Sequence, residues 1–352
     1  MATFLSADFD TESFNFYGKI MRGQQEQKPR WKRVLSVVDG AVGEQLGKMY
    51  TDKYFTSEAK ARMMELVNNL EKAFETRINK LDWMSDSTKL KALDKLHSFI
   101  KKIGYPDKWR DYTGLEITRN SYVKNVLASN VFDYNYNIGK LGKPVDRTEW
   151  GMTPPTVNAY YNPAFNEIVF PAGILQYPFF DLSVDDAAIY GGIGAVIGHE
   201  MTHGFDDQGC QYAADGNLKN WWSAEDKMRF DTKTNGVKLQ YDSYTILDNK
   251  HVNGALTLGE NIADLGGVTI AYDAFKMTKQ GKSNEKIDGF TPDQRFFLSW
   301  AQVWRQNIRD EEAATRLVTD PHSPGIHRCN GPLSNFAPFY AAYDVKEGNK
   351  MY

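Results

Sequence analysis

The sequence predicts a mainly helical α+β fold, and three observations carry the prediction. Several segments place apolar residues three and four apart, the period of a helix that buries one face. A glycine-rich apolar run, residues 188–206, reads as a buried helix and contains His199-Glu200-Met201-Thr202-His203. One stretch, residues 157–172, alternates as a strand pair does. At 352 residues the chain is long enough for about two domains with a sizeable core. Its 41% hydrophobic and 25% charged residues are those of a globular protein.

The elements follow in chain order. Residues 4–54 are mixed in pattern, with a short basic aromatic cluster, PRWKR, at 29–33. Ser57 is expected to cap a helix whose buried face is Met63, Leu66, Val67, Leu70, Phe74 and Ile78. A second helix is expected along Leu90, Leu93, Leu96, Ile100 and Ile103, ending at Lys101, Lys102, Gly104 and Pro106. Residues 105–155 are rich in Tyr, Asn, Asp and Trp, which places a domain boundary near 105. Ile168, Val169 and Phe170, ahead of Pro171, read as an edge strand or hairpin, and such an edge could receive an extended peptide. Ser183 is expected to start the helix of the HExxH match, with Asp185 and Asp186 in its first turn. Gly191, Gly192, Gly194 and Gly198 each cost that helix about 1 kcal/mol relative to Ala, which implies another backbone close by. A helix over 256–277 should bury Leu258, Ile262, Leu265, Val268, Tyr272 and Phe275, and another over 292–309 carries Trp300, Val303 and Trp304.

Bulk properties exclude several classes. A net charge of -3 gives no field for nucleic acid or an anionic membrane, and PRWKR stands alone with no basic stripe beside it. Two cysteines, Cys210 and Cys329, cannot make a disulfide framework, although one bridge between them is possible. The opening MATFLSADFDTESF carries acids by position 8 and does not read as a secretory signal, and no apolar run reaches the roughly 18 residues of a membrane span.

The chemistry is in the HExxH match. Residues four apart share a helix face, so His199 and His203 can grip one metal ion with Glu200 beside it. The five-residue string by itself also fits a histidine pair satisfied within an ordinary core. For a third ligand, the HExxHxxGxxH arrangement fails, because residue 206 is Asp and residue 209 is Gly. Glu260 is the best candidate, since Asp264 stands one turn further on the same helix face and can accept an N–H from a ligating histidine. Asp206, three residues after His203, can serve the other ring in the same way. Three protein ligands leave a position for water, whose proton Glu200 is placed to take. A developing oxyanion needs donors, and His322 or a tyrosine can supply them.

These residues resemble the neprilysin-like zinc endopeptidases, a family that includes the endothelin-converting enzymes and the bacterial oligopeptidases. The blocks VNAYY, FPAGILQ, GGIGAVIGHEMTHGFDDQG, LTLGENIADLGG and HSPG followed by Arg328 carry the likeness in order, and FYG, PRWKR, LDWMS and KIGYP extend it upstream. The bacterial branch looks most similar. The resemblance implies a thermolysin-like zincin lobe with a small β-sheet, divided as the remainder of a helical lid domain over 1–105 and a catalytic domain over 106–352. It implies one zinc ion per chain on His199, His203 and Glu260, with Glu200 as the base and Asp206 and Asp264 bonded to the ligating rings. It assigns His322 to transition-state stabilisation, and Asn158, Ala159 and Arg328 to the substrate backbone. Ile174, Phe179, Val196, Val303 and Trp304 would line the pocket just after the scissile bond, so that cleavage falls before bulky apolar residues. Peptides are the implied partners, and family members are often periplasmic, secreted or membrane-anchored. Relatives carry a long helical region upstream of the matched part and run on past residue 352. The expectation is therefore a fragment, with that N-terminal helical region as a further partner. A zinc-binding remnant that acts only as an interaction protein is the alternative.

Overall fold

The computed structural model describes residues 2–352. Helix α1 (Ala7–Ser13) runs on into a π-helical stretch, Phe14–Ile20, and is followed by α2 (Arg30–Tyr54). Helix α3 (Ser57–Lys80) buries Met63, Leu66, Val67 and Leu70 completely, as their spacing demands. Its cap is Thr56 rather than Ser57, because the Thr56 hydroxyl accepts the Ala59 amide at 3.1 Å. Helix α4 (Asp86–His97) stops earlier than its periodicity suggested. Residues Ile100–Gly104 form strand β1, where a helix through Ile103 was expected. The reason is tertiary: β1 finds a parallel partner that takes up its backbone donors and acceptors. Gly104, at a φ of +84°, ends that strand rather than a helix.

After α5 (Tyr122–Ile138) come β2 (Tyr160–Asn162) and β3 (Glu167–Pro171). The sheet runs β1-β3-β2, with β1 parallel and β2 antiparallel to β3. The alternating stretch is thus a hairpin, but Ile168, Val169 and Phe170 lie in the central strand, fully buried, and the edge beside the hairpin is β2. Next, α6 (Asp186–Ile189), a π-helical turn at Tyr190–Gly194 and α7 (Ala195–His203) make one continuous helical run. Its cap is Asp185, which accepts the Ala188 amide at 3.2 Å, whereas Ser183 donates to Asp181 in the preceding turn. Helix α8 (Ala224–Asp242) leads through a small hairpin, β4 (Thr245–Ile246) and β5 (Lys250–His251), to α9 (Leu258–Met277). The chain closes with α10 (Pro292–Val303), α11 (Asp310–Thr319), α12 (Gly325–Leu333) and α13 (Ala337–Tyr343). Helix α10 opens on a capping box between Thr291 and Gln294 and ends at Val303, short of the expected Arg309.

The central packing is α7 against α9. A Cβ on Gly198 would lie 2.8 Å from the Gly267 carbonyl oxygen, and one on Gly267 would lie 2.6 Å from the Ala195 oxygen and 2.8 Å from the His199 nitrogen. Two backbones in contact explain why this helix carries glycine where alanine would be the better helix former. Gly191 and Gly192 likewise abut the carbonyls of Phe296 and Phe179, whereas Gly194 meets the Tyr190 side chain and the Ile189 oxygen at ordinary distance. On α9 the buried side is not the stripe of Leu258, Ile262 and Leu265, which are only partly covered. It includes Asn261, Ala263, Asp264, Gly267 and Val268, so two polar residues face the interior.

One apolar core extends from Phe55 through α3, α4, the sheet, the α6–α7 run, α9 and α10 to Phe336. It crosses residue 105 without a break. Among the described residues before Phe55 no apolar side chain is fully buried, and α5, which packs against α2, buries only Val126 of that kind. The change in packing therefore falls near 55 and around 107–152, because α3 and α4 bury their faces against the HExxH lobe. No helix is long and apolar enough to cross a membrane among the described residues.

Candidate metal centre

Helix α7 places His199, Glu200 and His203 on one side, and α9 faces them with Glu260 and Asp264. The imidazole Nε2 atoms of His199 and His203 lie 3.0 Å apart. Glu260 closes the triangle, with Oε2 3.3 Å from His199 Nε2 and Oε1 3.7 Å from His203 Nε2. Each ring is held from behind: His199 Nδ1 donates to Asp264 Oδ1 at 2.8 Å and His203 Nδ1 to Asp206 Oδ2 at 2.6 Å. Asp206 is fixed in turn by the amides of Gln208 and Gly209, at 2.9 and 2.7 Å. Asp264, fully buried, also takes two hydrogen bonds from Arg328, at 2.7 and 2.8 Å.

The electrostatics call for a cation. Burial by itself lowers the His199 pKa, but the hydrogen bond with Asp264 and the nearby Glu260 carboxylate outweigh it and push it up to about 10. His203 is raised as well: burial and the neighbouring His199 oppose the rise, and Asp206 prevails. Burial raises Glu200, whereas at Glu260 the contacts with His199, His203 and His322 overcome burial and hold the carboxyl well below its usual range. Two rings whose Nε2 atoms are 3.0 Å apart cannot both carry a proton there; a single N–H can bridge them, and with Nδ1 on carboxylates two neutral rings point lone pairs at each other. Glu260 Oε2 is buried with no hydrogen-bond donor among the described residues. A single cation between these atoms relieves both conflicts, and two imidazoles with one carboxylate make a donor set that suits zinc.

The other expected residues gather around the same cleft of about 430 Å³. Asn158, Ala159, Ile174, Phe179, Val196, Trp304, His322 and Arg328 all line it. Val303 does not. It bounds a neighbouring cavity that shares Asn158, Trp304, His322 and Arg328 with the cleft, and it is the last residue of α10. His322 stands with Nε2 3.2 Å from Glu260 Oε2 and Nδ1 2.7 Å from Asp320. The guanidinium of Arg328 lies 4.0 Å over the Trp304 ring. Sequence reasoning missed Trp300, Tyr160 and Tyr161 as cleft walls. The two tyrosines were visible in VNAYY, but alternation alone does not say which side of a strand faces a cleft. Cys210 and Cys329 are both free thiols.

Two models described as peptidase family M13 match this sequence, one over residues 158–352 and one for the N-terminal part over residues 1–106. The chain belongs to peptidase family M13. Its similarity to an endothelin-converting enzyme homolog of Locusta migratoria is 39% identity over 361 residues, covering 100% of this chain and 49% of that protein. Neprilysin-3 of Drosophila melanogaster is 38% identical, over 95% of this chain and 44% of its own length. Among solved structures, the zinc metalloprotease Zmp1 of Mycobacterium tuberculosis in complex with an inhibitor superposes with a TM-score of 0.96 at 48% identity, over 100% of this chain and 54% of that one. PepO from Lactobacillus rhamnosis HN001 superposes at 0.91 with 33% identity, again over 100% and 54%. This M13 chain thus spans about half the length of the relatives it matches, and its mainly helical zincin-type lobe is that of the family.

Proposed function

We propose that this M13 chain carries a zinc-dependent endopeptidase activity toward oligopeptides, cutting on the amino side of bulky apolar residues. The observation that carries the reading is the convergence of His199 Nε2, His203 Nε2 and the Glu260 carboxylate inside a cleft with an apolar wall. In this reading those three side chains hold one zinc ion per chain. Zinc bound there supplies Lewis-acid polarisation of a carbonyl and makes water more acidic. Glu200 accepts the proton of the attacking water and passes it to the leaving amine. Its burial, which raises its pKa, suits a carboxylate that must act as base and then as acid. His322 turns Nε2 toward the oxygen that gains charge in the transition state, and Asp320, bonded to Nδ1 at 2.7 Å, holds the ring in that direction.

Substrate placement follows from the cleft wall. Asn158 and Ala159 immediately precede β2, an edge strand, and an extended peptide can lie along that edge by backbone hydrogen bonds. Arg328 spends Nε and one terminal nitrogen on Asp264, and its other terminal nitrogen makes no hydrogen bond among the described residues, which leaves it for a substrate carbonyl. Ile174, Phe179, Val196 and Trp304 form the apolar wall that receives the residue after the scissile bond, and Val303 bounds the adjoining cavity.

The test compares the chain with its Glu200→Gln variant, in zinc content and in hydrolysis of a quenched peptide with a central Phe or Leu. The expected outcome is equal zinc in both and cleavage before the apolar residue only in the unmodified chain. A chain that binds zinc and cleaves nothing, or a variant that still cleaves, overturns the proposal.

A further inference from the structure

We infer that Lys95, on α4 and outside the cleft, is a positioning residue for the metal centre: it clamps the 206–212 loop so that Asp206 holds His203 in its ligating orientation. The inference rests on the proposed zinc site. Lys95 is 1% exposed, and its ammonium donates to two loop carbonyls, Gly209 and Tyr212, both at 2.7 Å. Around it stand the rings of Phe205, Tyr161 and Trp221, at 5.6, 5.9 and 5.9 Å to the centroids. It makes no hydrogen bond to a carboxylate among the described residues. A buried ammonium without such a partner is costly to desolvate and a poor choice for packing alone. Burial pulls its pKa down to about 8, against the opposing influence of Cys210 and Asp206.

The link from Lys95 to the ligand passes through Gly209. The Gly209 carbonyl accepts from Lys95, while its amide donates to Asp206 Oδ1 at 2.7 Å. A Cβ at Gly209 would collide with the carbonyl of His203, so the loop folds directly back on the end of α7. The same residue therefore touches the clamp, the carboxylate that bonds His203 Nδ1 at 2.6 Å, and the backbone of the ligand itself. The far end of the loop is held too, since Trp221 Nε1 donates to the Tyr212 carbonyl and Trp222 Nε1 to that of Cys210, each at 3.0 Å. Removing the ammonium frees two carbonyls at the centre of this arrangement and lets Asp206 drift from His203.

The test measures zinc affinity by chelator competition for the native chain, Lys95→Met, Asp206→Asn and the double variant, with the stability of each metal-free form measured separately. The expected result is a loss of zinc affinity of about 10- to 100-fold in each single variant, as for other groups that orient ligating histidines. The double variant should bind no more weakly than Asp206→Asn alone, because both changes act through one hydrogen bond. The cobalt-substituted Lys95→Met protein should also show an altered ligand-field spectrum. Should Lys95→Met fail to fold when metal-free, Lys95→Gln keeps a neutral donor without the reach, and the same loss and non-additivity are expected of it. Zinc affinity within threefold of native in the folded variant, or losses that add in the double variant, overturns the inference. A native chain that binds no zinc overturns the proposed site instead.

Discussion

The arrangement at His199 shows how much one residue's surroundings must supply. Its Nδ1 is committed to Asp264, which is fully buried and tied to Arg328, so the ring has a fixed tautomer and direction before any metal arrives. The Asp264→Asn variant keeps the shape but removes the charge that Arg328 and His199 both use. Zinc affinity is expected to fall about 10- to 100-fold, read by chelator competition, and an unchanged affinity would show that orientation comes from packing alone. At this scale much was legible. The two histidines and Glu200 follow from spacing, and Glu260 and Asp264 from being one turn apart. Asp206 follows from its distance to His203. Lys95 was not legible, because a lysine on a helix reads as a solvated charge until the fold puts Gly209 and Tyr212 against it.

Helices α7 and α9 are joined by bare backbone, and the distance between His199 and His203 on one and Glu260 on the other depends on that contact. The Gly267→Ala variant introduces a Cβ 2.6 Å from the Ala195 oxygen, and neither backbone can yield cheaply. Stability of the metal-free chain should fall by about 1–3 kcal/mol in urea denaturation. Zinc affinity should fall with it, since Glu260 moves away from His199 and His203. A variant as stable and as tightly metalled as the native chain would mean that the helices repack around the methyl. Periodicity located both helices and the buried Val268, Tyr272 and Phe275 of α9, but misjudged the side that α9 buries in its first half. That side pairs Asn261 and Asp264 with Ser323 and Arg328, partners that no local pattern reveals. The same limit explains β1, whose residues carry a helical period and find a parallel strand instead.

For the molecule as a whole, the proposed metal centre lies at the junction of α7, α9, the 206–212 loop and the segment around His322. Metal binding should therefore report on global stability. Four carboxylates, Glu200, Asp206, Glu260 and Asp264, share this buried region with a single guanidinium, Arg328. Stripping the chain with a chelator is expected to lower the melting temperature, and zinc at about 1,000 times its dissociation constant should restore roughly 4 kcal/mol. Equal melting temperatures with and without zinc would count against a site coupled to the fold. The outer helices α2 and α5, which hold little of the core, should melt with little sensitivity to zinc. Burial changes where α3 begins, a feature that composition does not show.

The sequence by itself left α2, α5 and α8 unread but determined the class of fold, the positions of α3, α7, α9 and α10, the histidine pair and its carboxylates, and the close approach implied by the glycines. These are local properties: a period of 3.6, a spacing of four, a residue without a side chain. Only the tertiary structure decided that residues 100–104 form a strand, that β2 rather than β3 is the edge, that Val303 lines the adjoining cavity rather than the cleft, and that Lys95 reaches the loop behind His203. Each of those depends on a partner tens of residues away, and burial and hydrogen bonding choose such partners only when the chain has closed on itself.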